Sequence, residues 1–156
     1  MNKGIDGIRR TRTYLLDFIK DLSVEQLNEI PGRLNNNIIW NLGHTLVTQQ
    51  RLCYVRSGQK MFIDDTYASL YNPGTKPQKT VEEVEIGKVK QLFLSSIDQF
   101  EKDYINNLFS NYESWTTQRY GEIKISNIDD AISFVLYHEG LHAGYIMTLK
   151  NLVKNY

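Results

Sequence analysis

Four long stretches of this chain repeat apolar residues at three- and four-residue spacing, the period of a helix with one buried side. No stretch of comparable length alternates as a strand does. This pattern directs the chain to an all-α architecture. The first stretch, 4–22, sets Ile5, Ile8, Thr11 or Thr13, Leu15, Leu16, Phe18 and Ile19 along one side. Ser23 with Gln26 reads as a capping box for a short helical turn that Pro31 and Gly32 end. A second long helix is expected to open at Asn36 or Asn37 and to run through Trp40, His44 and Val47. It stops at Ser57-Gly58, where glycine suits a left-handed cap. Thr80 with Glu83 predicts a capped helix over 81–108, with Val84, Val89, Leu92, Phe93, Ser96, Phe100 and Tyr104 inward. Asn127 with Asp130 predicts the start of a last helix, over 128–154.

Two connections are long. Residues 59–79 carry the turn signals Asn72-Pro73-Gly74 and Lys76-Pro77 and read as a loop. Tyr67, Leu70 and Tyr71 predict that it packs on the body; a loop of this length is usually functional or mobile. Residues 109–126 form the second connection, with an alternation around Tyr120-Gly121 that predicts a short hairpin. Four amphipathic helices with two long connections make a four-helix bundle, in which non-neighbouring or parallel packing is allowed. A chain of 156 residues suffices for one such domain, spanning 1–156.

Composition removes several functions. Lys plus Arg and Asp plus Glu both number 18, so there is no basic surplus to hold a polyanion, and nucleic acid is not an expected partner. No apolar run approaches the roughly 20 residues of a membrane span, and the first ten residues lack an apolar leader. The expected setting is therefore the cytoplasm, without membrane attachment. One cysteine, Cys53, excludes an internal disulfide framework and a multi-cysteine zinc site. It also implies that any reactive thiol is brought by a partner molecule.

The chain has three histidines, and none falls in a predicted loop. His138 and His142 are one turn apart, within roughly 40° of each other around the helix. Ala131, Val135, His138, His142, Tyr145 and Leu149 share one 3-4 stripe, so the pair is expected to face the core. His44 shares a stripe with Trp40 and Val47 and is also expected inward. Two facing helices would then bring three imidazoles to one point, as bundle metal sites do. Three neutral imidazoles suit a divalent ion such as zinc, nickel or iron and leave a coordination position for water or substrate. The competing expectation is a set of hydrogen-bonded core histidines that fix helix register without metal.

Residues 138–142 also spell His-Glu-Gly-Leu-His, the H-E-x-x-H pattern in which Glu139 is the candidate general base of a metal-dependent hydrolase. No Glu, Asp or His follows His142, so a third ligand has to come from upstream, and His44 is available. No sheet is expected that would hold a peptide as an added strand. Glu139 is therefore expected beside the helix seam, supporting the ligands or solvated.

Two segments, Asn37-Ile-Ile-Trp-Asn-Leu-Gly-His44 and His138-Glu-Gly-Leu-His142-Ala-Gly144-Tyr-Ile146, resemble the signature segments of the DinB/YfiT-like superfamily. The order of elements around them agrees over essentially the whole chain, and 58–77 resembles the loop of a bacterial subgroup. The resemblance implies a four-helix bundle, often homodimeric, with a three-histidine divalent-metal site whose ligands fall on His44, His138 and His142. Zinc or nickel is the leading expectation, with iron and manganese as further candidates. It also implies chemistry centred on low-molecular-weight thiols, as in bacillithiol S-transferases and mycothiol-dependent maleylpyruvate isomerase. The family often carries Gln where this chain has Tyr145, which shares the histidine face and is a candidate hydrogen-bond donor or pocket wall.

The leading functional expectation is thus a divalent-metal-dependent enzyme, a low-molecular-weight-thiol S-transferase or related small-molecule enzyme. One alternative is a non-catalytic, stress-related bundle that binds a metal or ligand. The other is the hydrolase with Glu139 as base. Arg51, about two turns beyond His44, is a candidate for a substrate carboxylate or for a surface salt bridge, and Lys76 for an anionic thiol cofactor or for solvent. Trp40 is expected to pack in the core ahead of lining a pocket. Cys53, nine residues from His44, falls about 180° around the helix and is expected to face away from the site. Tyr67, Tyr71 and Tyr137 are candidates to line or cover the pocket.

Overall fold

Each long apolar stretch becomes a helix in the computed structural model, which describes residues 2–118 and 121–154. The elements run α1 (Lys3–Phe18), α2 (Val24–Asn28), α3 (Ile38–Cys53), α4 (Asp65–Leu70), α5 (Glu83–Ile105), β1 (Trp115–Thr116), β2 (Lys124–Ile125) and α6 (Ile128–Lys154). The principal helix contacts are α3 with α6 and α5, and α1 with α6 and α5. The four long helices thus close into a bundle in which α1 and α3 are both flanked by α5 and α6. No helix among the described residues is long and apolar enough to cross a membrane.

Local signals set most helix ends. The Ser23 hydroxyl accepts from the Gln26 amide while the Gln26 side chain accepts from the Ser23 amide, a reciprocal capping box that satisfies two end donors. Asn37 caps α3 by accepting from the Trp40 amide. After α3 a single 3-10 turn over Val55–Ser57 ends at Gly58, whose φ of 68° is the left-handed cap expected there. Asn127 accepts from the Asp130 amide at the start of α6, while the Asp130 carboxylate accepts from the Ser126 amide. The hairpin is real but minimal, with Trp115 paired to Ile125 and Thr116 to Lys124; Tyr120 lies outside the described residues.

Several expectations need correction. Helix α1 ends at Phe18, and the Asp21 carboxylate beyond it is held by Lys150 and Lys154 of α6. Its inward side carries Arg12, not Thr11 or Thr13. Helix α3 is buried on nearly all sides, because α5, α6 and the 59–79 segment surround it. That segment is not all loop: Asp64 caps the short α4. Tyr71 is buried there, whereas Leu70 is 49% exposed. Helix α5 starts at Glu83 without the Thr80 box, because Val81 is held outside the helix by two hydrogen bonds with the Asn28 side chain. Val84 consequently faces solvent, and Ile86 and Ile97 take inward positions.

The buried residues form two apolar clusters. One includes Leu15, Leu42, Leu46, Phe93, Ile146 and Leu149; the other includes Ile8, Cys53, Ile97, Phe100, Ala131 and Val135. A polar layer lies where they meet, with Arg12 from α1, Gln49 and Gln50 from α3, Ser96 from α5 and Glu139 from α6, all fully buried. Each large apolar side chain in the clusters contributes about 1.5–3 kcal/mol relative to exposure. The polar layer needs hydrogen bonds to break even.

Candidate metal centre

The helical spacing that set three histidines on inward stripes brings them together at the α3–α6 contact. The ring centroids are 5.3 Å apart for His44–His138, 4.9 Å for His44–His142 and 4.5 Å for His138–His142. One ring nitrogen from each lies within 4.8 Å of the other two, a grouping able to hold a metal ion.

Two of the three rings are fixed in tautomer by what their other nitrogen touches. His44 Nδ1 lies 2.8 Å from the Tyr71 carbonyl oxygen, which can only accept, so Nδ1 carries the proton and Nε2 keeps a lone pair. His142 Nδ1 lies 2.7 Å from Asn41 Oδ1. The orientation of that amide is set independently, because Asn41 Nδ2 donates to the Asn37 carbonyl at 2.7 Å. His142 is therefore also the Nδ1–H tautomer. His138 Nδ1 is buried without a hydrogen-bond partner among the described residues.

Burial holds the set neutral. It pushes His138 down to about 3, helped by the neighbouring His142 and His44, and His142 down to about 4, helped by His44. Burial also lowers His44, while its bond to Tyr71 opposes the fall. Neutral imidazoles with pinned outer nitrogens and one unpartnered buried nitrogen match what a divalent ion asks of a three-histidine donor set. On this structure the residues fit the metal that the fold family implies.

Local sequence explains the supporting contacts. A Cβ at Gly43 would lie 2.4 Å from the Tyr71 ring, so only glycine there lets Tyr71 approach α3 closely enough for its carbonyl to meet His44. Trp40, one turn before His44, stacks on the imidazole with centroids 4.6 Å apart and donates from Nε1 to the Thr75 hydroxyl. It is both core and pocket wall, so the expected choice between the two roles was a false one.

The three histidines open onto a cavity of about 820 Å³. Trp115, Phe134, Leu141 and Leu52 give it an apolar wall; Arg33, Asn35, Asn36, Thr48 and Gln118 give polar groups. Tyr145 lines it too, half-buried, and burial pushes its phenol up, so the hydroxyl stays protonated at neutral pH. The other candidates fall elsewhere. Arg51 and Lys76 are exposed and do not line the cavity. Tyr71 meets His44 through its carbonyl and packs against the Tyr67 ring, and Tyr137 borders a smaller groove beside the hairpin. Cys53 is fully buried in the second apolar cluster, away from the cavity as its angular position required.

Glu139 is neither solvated nor at the site. It is fully buried and accepts from Arg12 Nε at 2.9 Å and Arg12 Nη2 at 2.5 Å. It points into the polar layer because it sits one residue past His138, about 100° around α6. A general base has to reach the proton it takes; Glu139 does not line the cavity and is engaged with Arg12, which leaves it out of reach of a ligand there. Asn41, Arg33 and Arg12 were not identified from sequence, and Tyr71 was expected as a pocket wall, not as the backbone carbonyl that meets His44. Arg12 carried a usable signal, since Ile5, Ile8, Arg12 and Leu15 share the apolar spacing and a cation there requires a buried acid.

No curated protein matches the chain. A family profile described as the DinB superfamily matches residues 8–146, which include all three histidines and every long helix in whole or in part. With that match over most of its length, the chain belongs to the DinB superfamily.

Proposed function

We propose that this protein is a divalent-metal-dependent enzyme that acts on a small thiol, whose thiolate, once its proton is released, attacks an electrophile and joins to it through sulfur. The observation that carries this reading is the convergence of three neutral imidazoles, two with pinned outer nitrogens, on an open cavity of about 820 Å³. His44, His138 and His142 would hold the ion, with zinc or nickel the best match to the all-imidazole set. When bound, such an ion lowers the pKa of a coordinated thiol and keeps it as thiolate at neutral pH.

The chain's own residues do the rest. Tyr71 and Asn41 hold His44 and His142 in the ligating tautomer, which lowers the cost of ordering these two ligands on binding. Trp40 closes one side of the histidine cluster against water. Trp115, Phe134 and Leu141 offer an apolar surface to the electrophile, and the Tyr145 hydroxyl is placed to donate a hydrogen bond toward a ligand. Cys53 is not a competing nucleophile: it is buried, and burial pushes its thiol far up.

The test has two parts. Elemental analysis of protein purified without a polyhistidine tag, beside His142→Ala, should find about one divalent ion in the parent and none in the variant. Turnover of glutathione, bacillithiol or coenzyme A with a model electrophile should then depend on that ion. Metal binding without turnover would favour a non-catalytic metal-binding bundle. Absence of binding with zinc, nickel, iron and manganese would end the metal reading.

A further inference from the structure

We propose that the cavity selects a carboxylate-bearing ligand and that Arg33 is the residue that reads its charge. The inference rests on the small-molecule reading of the same site and names the class of molecule that enters it. Among the described residues lining the cavity there is no Asp or Glu, and Arg33 is the one side chain that is always charged. Any cation held by three neutral ligands keeps its full charge, because no carboxylate shares the site. Both features make the cavity favourable for an anion and unfavourable for a cation.

Arg33 is also presented and available. It sits in the turn between α2 and α3, closed by the Leu34 amide donating to the Pro31 carbonyl at 3.1 Å. Gly32 precedes it at φ 57°, a left-handed conformation that L side chains rarely adopt, so this turn geometry depends on glycine. The next residue, Leu34, packs on the first apolar cluster and pins the turn to the body. Arg9, Arg10, Arg12 and Arg56 each meet a carboxylate, whereas Arg33 has neither an ion pair nor a hydrogen-bond partner among the described residues. Arg33 is exposed and shares the cavity lining with Asn35 and Asn36, and its guanidinium is a fork that fits a carboxylate with two parallel bonds. The ligand's apolar part would then lie along Trp115, Phe134 and Leu141.

Calorimetry on the zinc-loaded protein tests this with two matched probe pairs: N-acetylcysteine against its amide, and phenylpropionate against phenylpropanamide. Arg33→Gln should weaken both acids about tenfold and leave both amides within about twofold, the loss expected for one charge-assisted pair at a partly exposed site. Lys102→Gln, an equal charge change on the exposed end of α5, should shift neither pair. Equal weakening of acid and amide, or no Arg33-dependent preference in either pair, absence of binding included, overturns the proposal. If phenylpropionate shows the Arg33 effect while N-acetylcysteine binds no more tightly, the thiol reading fails and the anion reading stands. If N-acetylcysteine and its amide both bind tightly and equally in the parent and in Arg33→Gln, the outcome is the reverse.

Discussion

Replacing Arg12 by Met should be among the most damaging single changes in this protein, and the structure bounds its cost. Arg12 and Glu139 are both fully buried. The guanidinium donates twice to Glu139, once to the Phe93 carbonyl at 2.9 Å and once to the Ser96 hydroxyl at 3.0 Å, and it lies over the Phe93 ring. Met keeps much of the volume, so little of the cost is cavity. What remains is an unpaired carboxylate in the bundle centre, worth about 3–5 kcal/mol when one partner of a buried pair is removed. A domain with roughly 5–15 kcal/mol of total stability loses a large fraction of it. At about 2–4 °C per kcal/mol for a chain of this size, Tm should fall by roughly 6–20 °C.

The cost should depend on pH in a definite direction. Burial already pushes the Glu139 carboxyl up, and Arg12 opposes that rise. Without Arg12, the folded-state pKa rises further above the unfolded value, so the native state binds the extra proton. The variant therefore keeps its stability below the ordinary carboxylate range and loses it as pH rises through the folded pKa. Arg12→Met with Glu139→Leu removes both charges and should return to within about 2 kcal/mol of the parent, the shortfall being the Ser96 hydroxyl left without its donor. Urea denaturation followed by circular dichroism between pH 4 and 8, on the parent, both single variants and the double variant, measures all of this. A loss below about 1 kcal/mol for Arg12→Met, or a coupling energy near zero in the double-mutant cycle, would refute the reasoning.

Asn41→Leu leaves the His142 proton donor unpartnered and should weaken zinc binding by about 10–100-fold, read by calorimetry. Gly43→Ala forces the Tyr71 ring off α3, since the added Cβ would sit 2.4 Å from it, and should weaken zinc binding as well as lower the urea midpoint. The metal-free protein should hold its stability above the ordinary histidine pKa and lose it as pH falls through 6.5 toward about 4. Its buried histidines stay neutral while those of the unfolded chain take protons, so the unfolded state binds more protons and acid favours it. Thermal melts with chelator across that range check this, and a flat profile contradicts it. Cys53 should resist a thiol reagent until the chain unfolds, and Cys53→Ala should leave zinc affinity unchanged because the thiol lies in the second apolar cluster.

The helices, most of their ends and the inward side on which each histidine lies were legible in the residues alone, because these depend on local chemistry. The Ser23–Gln26 box, the Asn37 cap and the left-handed Gly58 each involve groups within a few residues of each other. A period of about 3.6 residues fixes which side of α6 His138 and His142 share, whatever packs there. Which partner each inward polar residue meets depends on the packing of distant segments. Glu139 and Arg12 are 127 residues apart, and each is tolerable in the core only because the other reaches it. Asn41 meets His142 across 101 residues, and Tyr71 meets His44 through a backbone carbonyl that no side-chain pattern encodes. The late start of α5 has the same origin, since Asn28 ties down both backbone polar groups of Val81 from 53 residues away and outweighs the local Thr80 signal. Helical periodicity says that a side chain points inward; the partner waiting there makes it a ligand, a buried ion or a packing residue.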